Sequence, residues 1–184
     1  MLSLFGRNRS PVLVPQDSRA AEFVNVLSQN ARKRPDELYT VGSLDFQPLV
    51  LAELIRHAHG DVYIRRIRLD VSVFQDISVI AAANELFQEW PNVKAKVHVF
   101  AADRNDADAI KTALGQGTKF ADRIVTYTAR PGEPVDSCRD FVIAGDGWWT
   151  GSGDYAWDGT YMFNSFSKSA ELLREWMLFV SAVN

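Results

Sequence analysis

Cysteine occurs once, at Cys138, so no internal disulfide can form and a reducing compartment, the cytoplasm, is expected. Histidine is nearly as scarce. His57 and His59 lie two apart on a predicted helix and diverge, while His98 sits on a predicted strand. No clustered cysteine or carboxylate accompanies them, so neither a metal nor a cofactor is expected. Excess positive charge is also missing. A net charge of −3 excludes a broad, unspecific nucleic-acid coat but leaves room for a local basic site. No apolar run approaches the ~18 residues of a membrane span. The glycine signatures of phosphate and dinucleotide binding are absent: there is no G-x-x-x-x-G-K-[ST], and no glycine-rich loop follows the first predicted strand. The GSG at 151–153 is not the G-x-S-x-G elbow of a serine hydrolase. The acidic run at 103–108 lacks the glycine and distal glutamate of a calcium loop, and it reads as an acid-rich helix start.

What is present is the pattern of one α/β domain. The 184 residues fit a single core. Residues 1–16, with Pro11 and Pro15, are expected to form a flexible arm, and 17–184 the domain. A helix is predicted from Asp17 or Ser18 to Pro35, then a short strand at 38–41. Asp45 is predicted to cap a second helix that Gly60 ends. Residues 61–70 alternate as a strand, with a slip at Arg65-Arg66. A helix over 77–90, a strand over 93–101, a helix over 105–114 and a strand over 124–128 follow. Strands at 141–144 and 148–150 flank Gly145-Asp146-Gly147, a strong hairpin signal. A helix over 167–180 closes the chain. The alternation predicts a mixed, mostly parallel sheet with helices on both faces.

The C-terminal third is rich in aromatics and polar groups together. Trp148, Trp149, Tyr155, Trp157, Tyr161 and Phe163 lie near Asp146, Ser152, Asp154, Asp158 and Asn164. Such mixtures line ligand sites or interfaces, and they also fill cores.

Within this third, Arg139-x-Phe141-x4-Asp146 is followed by Gly151-Ser152-Gly153-Asp154. The pair resembles the H-x-K-x4-D and G-S-x-N motifs of the phospholipase D superfamily, and the order of elements from Glu37 onward resembles one repeat of that family. In the family the histidine attacks phosphorus and the lysine neutralises phosphate oxygens. Arg139 and Phe141 stand in those places. Arginine stays protonated and cannot be the nucleophile, and phenylalanine brings no charge. Cys138 is offset by one residue and points to the other face of a strand.

The resemblance therefore implies a phospholipase-D-like module without catalytic residues, similar in kind to the phospholipase-D-like domain found C-terminal to MIT domains, a dimeric lipid-binding module. It implies a ligand set in which Arg139 grips a phosphate, Ser152 donates a hydrogen bond and Asp146 and Asp154 orient the arginine, with Asn164 beside them. Arg139 reads equally as a structural partner of Asp146. The resemblance also implies a homodimer through Trp148, Trp149 and Trp157, with a phosphate-bearing ligand (a nucleic acid or phospholipid headgroup) or a protein as partner. Two alternatives are open. One is an active phosphodiesterase or nuclease rebuilt around His57, His59 or, best placed, His98. The other is nucleic-acid binding through Arg65, Arg66 and Arg68.

Overall fold

A computed structural model describes residues 18–33, 37–41, 45–66, 70–89, 95–129, 139–151 and 159–183. The helix α1 (Ser18–Lys33) leads into strand β1 (Tyr39–Val41). Helix α2 (Gln47–Arg56) and strand β2 (Val62–Arg66) follow, then the single turn α3 (Ser72–Gln75) and helix α4 (Ile77–Glu89). Next come β3 (Val97–Ala101), α5 (Arg104–Leu114) and β4 (Ile124–Thr128). The chain closes with β5 (Phe141–Ala144), β6 (Gly147–Gly151), β7 (Gly159–Met162) and α6 (Phe166–Val183).

The seven strands form one sheet in the order β1-β7-β6-β5-β2-β3-β4. The α/β class and the helices on both faces hold. The mostly parallel sheet does not: only β2-β3 and β3-β4 run parallel, and the other four neighbouring pairs are antiparallel. The physical reason lies in connection length. Crossover helices impose parallel pairing on β2, β3 and β4, whereas β5 and β6 are joined by a tight turn that permits only antiparallel pairing. The strand β7, not predicted from the sequence, then carries the antiparallel run out to β1.

Alternation along each strand divides the core in two. Val62, Ile64, Val97, Val99, Val142 and Trp149 point toward α1, α2, α4 and α5. Phe100, Phe141, Ile143 and Trp148 point the other way, where α6 covers them with Leu172 and Trp176. The helix starts differ in detail from expectation. Asp45 does not cap α2: the capping position is Phe46, no side chain caps it, and Pro48 in the first turn pre-sets the backbone. In α5 the carboxylate of Asp103 accepts from the Asp106 backbone N–H at 2.9 Å, which accounts for the acidic run as a capped helix start. Among the described residues no helix is long and apolar enough to cross a membrane.

Candidate functional site

The matched motif lies along β5 and its turn. Gly145 adopts φ +65°, and a Cβ there would come 3.2 Å from the His59 backbone nitrogen, so the turn needs glycine on both counts. Asp146 follows in the turn, and its carbonyl accepts from the Ser165 N–H at 2.9 Å. That bond places the exposed Asn164 at the same end of the hairpin. Arg139 lies at the other end, beside Asp140, whose carbonyl accepts from the Gly151 N–H at 3.0 Å. The strand between them separates Arg139 from Asp146 by about 20 Å. The expected convergence of Arg139, Asp146 and Asn164 on one ligand is therefore corrected: these three form two groups. Cys138, Ser152, Asp154 and Trp157 lie outside the described residues.

Arg139 belongs instead to a charged joint between the sheet and α6. Its Nη2 donates to Glu171 Oε1 and Glu175 Oε2, each at 3.1 Å. The other oxygen of Glu175 accepts from Arg65 Nη1 at 2.7 Å. Lys168 Nζ adds a bond to Glu171 Oε1 at 2.6 Å. The Lys168 ammonium, with a lesser contribution from Arg139, holds the Glu171 carboxyl below the usual range against the opposing effect of desolvation. Arg65 has 0% exposure. Its guanidinium stacks 3.6 Å from the Phe179 ring centroid and 5.4 Å from that of Phe141. Arg65 pairs in register with Phe100 on β3 and Phe141 on β5, so it sits between two aromatic neighbours beneath α6.

This burial corrects the expected basic patch. Arg65 is unavailable to a phosphate backbone, Arg66 bonds Asp106, and Arg68 lies outside the described residues. The signal that reveals Arg65 is the strand alternation itself. Read without a slip, Arg65 shares a face with Tyr63, and Glu171 and Glu175 stand one helical turn apart on α6 to meet it.

Trp148 and Trp149 are corrected as interface residues. Trp148 is 5% and Trp149 1% exposed, each inside one of the two cores. Because β5 and β6 are central strands covered on both faces, even alternate positions are buried.

The histidines occupy separate places. His57 Nε2 lies 3.4 Å from Glu53 Oε2 on α2, and His59 packs its backbone on the Gly145 turn. His98 stands between Asp61 Oδ2 and Tyr127 Oη, each 3.2 Å away, and stacks on Tyr63 at 4.9 Å. The arrangement that satisfies both bonds has Nε2–H donating to Asp61 and the Tyr127 hydroxyl donating to Nδ1. Burial, then the Asp61 charge, pushes the Tyr127 phenol up, so it is not an activated nucleophile. Among the described residues no group of three or more His, Cys, Asp or Glu is placed to hold a metal. A cleft of about 530 Å³ beside α3 and α5 is lined by Gln75, Asp108 and Thr112 among others. It lies across the sheet from the joint, and Asp108 is its one charged lining group among the described residues.

Tyr161 gives this region a pH dependence. It stacks on Tyr39 at 5.4 Å, and burial followed by the Tyr39 phenolate raises its pKa to about 12. Below pH about 10 the phenol is neutral folded and unfolded, and its contribution is fully present. Between about pH 10 and 12 only the unfolded chain ionises it, so stability falls as pH rises. Urea midpoints at pH 9 and 11.5 are expected to fall further apart in the wild type than in Tyr161→Phe; equal drops would refute the assignment.

No family model matches the chain, and no curated protein matches it. Among solved structures the fold is similar to that of TrmBL2, an archaeal chromatin protein described as showing a novel mode of DNA binding. The TM-score is 0.55 at 10% sequence identity, over 90% of this chain and 62% of that one. This chain thus spans less than two thirds of that protein, and the likeness is one of fold.

Proposed function

We propose that the chain is a phospholipase-D-like module that binds without hydrolysing, carrying a phosphate-bearing ligand or a protein partner within a larger assembly. One observation carries the reading. The residue in the nucleophile's place, Arg139, is tied to Glu171 and Glu175, and the residue in the lysine's place, Phe141, is fully buried and meets Trp176 edge-on at 6.4 Å. Both matched positions thus serve packing between β5 and α6. The order of elements, alternating strands and helices and then a hairpin and a closing helix, supports the same kinship.

Hydrolysis of bis(p-nitrophenyl) phosphate by the full chain is expected to equal that of buffer. A rate above buffer that His98→Ala abolishes would overturn the reading in favour of a rebuilt phosphodiesterase. The DNA binding of the structurally similar chromatin protein favours nucleic acid as a second reading of the ligand. Under it, affinity for duplex DNA falls steeply as salt rises; an affinity indifferent to salt excludes it.

A further inference from the structure

The sheet ends in β1 on one side and β4 on the other, and the two edges are not alike. Proteins blunt an exposed edge by keeping it short, or with a charge, a proline or a bulge. The strand β1 has only three residues. The strand β4 has five, Ile124-Val125-Thr126-Tyr127-Thr128, all β-branched or aromatic, with no charge, proline or glycine. Its register with β3 runs through five pairs without a bulge. Val125, Thr126, Tyr127 and Thr128 are all partly exposed, and among the described residues their backbone bonds only to β3. In a parallel pair alternate residues turn their N–H and C=O away from the partner, so the outer side of β4 presents unmet donors and acceptors.

We propose that β4 pairs antiparallel with the β4 of a second copy of the chain, across a two-fold axis that passes through Thr126 perpendicular to the sheet. The residue pattern argues for that occupant, because the strand is its own complement about Thr126. Thr126 meets Thr126 of the other copy, Val125 meets Tyr127 and Ile124 meets Thr128, and the symmetry makes the last two contacts twice. Facing residues lie on one face in every pair. Val125 and Tyr127 share the α6 face with His98 and Phe100, while Ile124, Thr126 and Thr128 share the α5 face with Val97 and Val99. This is the register that uses all five residues. A β-branched side chain opposite an aromatic and a threonine opposite a threonine are both favourable cross-strand pairs. With no charge in the strand, self-pairing meets no like-charge repulsion. The paired strands run about 17 Å. One strand on one strand covers less than the roughly 800 Å² per partner of a standard interface, so the dimer is weak and concentration-dependent. It fails on association state, whereas the functional reading fails on hydrolysis.

Sedimentation velocity of the full chain from about 5 to 500 µM tests it, with a monomer–dimer Kd of about 10–100 µM expected. Thr126→Lys and Thr126→Glu each set a charge about 5 Å from its own copy at the axis. Each is expected to raise Kd at least tenfold with the circular dichroism and urea midpoint kept. An equimolar mixture of the two is expected to bring the dimer back, because opposite charges then meet. Amide hydrogen exchange in the wild type needs no variant: from about 5 to 500 µM, exchange in β4 is expected to slow several-fold while β1 is unchanged. A wild type that stays monomeric throughout, leaving the edge to some other partner, overturns the proposal. So does a Kd unchanged in Thr126→Lys, a mixture that stays monomeric, or protection that appears at β1 and not at β4.

Discussion

Replacing Glu175 with alanine is expected to cost about 3–5 kcal/mol of folding stability, because it strands the wholly buried Arg65 without its anion. The bond from Arg65 Nη1 to Glu175 is 2.7 Å long, and Nε and Nη2 have no hydrogen-bond partner among the described residues. Phe179 and Phe141 shield the guanidinium from water without replacing the carboxylate. Arg139 loses one of its two acceptors in the same step, but it is 39% exposed and water serves it. If the stranded charge is the cause, Arg65→Met should rescue: the double variant Arg65→Met/Glu175→Ala is expected to unfold at higher urea than Glu175→Ala alone. A double variant less stable than the single would show that the loss comes from packing. In a chain of this size each kcal/mol moves Tm by about 2–4 °C, so the single variant is visible in any thermal scan.

The second large effect is expected at Gly159. A Cβ on that residue would lie 2.2 Å from Trp149 Nε1, 2.6 Å from Cε2 and 2.9 Å from Cζ2. The indole is 1% exposed and rigid, so it cannot yield as a flexible side chain would. Gly159→Ala is expected to cost about 3 kcal/mol by overpacking. Gly60→Ala provides the contrast. Nothing lies within 4 Å of that Cβ, and the penalty is confined to a backbone at φ +106°. Trp149→Phe removes the ring that collides, and Trp149 Nε1 has no hydrogen-bond partner among the described residues to forfeit. The two substitutions should therefore be non-additive, the pair losing less than the sum of the singles. Simple addition of the two losses would place the strain elsewhere.

These two sites also show what was legible in the sequence. The helices α1, α4 and α5, the strand β4 and the hairpin turn announce themselves through local period and punctuation, which depend on residues a few positions apart. Partner choice is not local. The pairing of Tyr39 with Tyr161 joins residues at opposite ends of the domain, and no pattern near either one encodes it. The strand β7 is hidden for a related reason. Its first residue is a glycine, a poor strand former in itself, placed there because the Trp149 indole occupies the space. The turn α3 is too short to show a period, though Asp70 and Asp76 bond the backbone N–H of Ser72 and Ser78 at 2.8 Å as such turns do.

The site was legible in its residue types and not in its geometry. Arg139 and Phe141 depart visibly from the phospholipase D pattern. What Arg139 does instead depends on Glu171 and Glu175, more than thirty residues later, and on Arg65 more than seventy residues earlier. Trp148 and Trp149 look like an exposed aromatic pair only while β5 and β6 are thought to have an open face. Helices on both sides of the sheet remove that face.

The central claim is that Arg139, which takes the nucleophile's place in the proposed phospholipase-D-like reading, fastens α6 to the sheet. Amide hydrogen exchange in Arg139→Ala tests it directly. The account expects exchange across α6 to quicken several-fold while β2, β3 and β4 keep their protection. Unchanged exchange in α6, accompanied by loss of a phosphodiester hydrolysis that the wild type possesses, would contradict it and return Arg139 to a reaction.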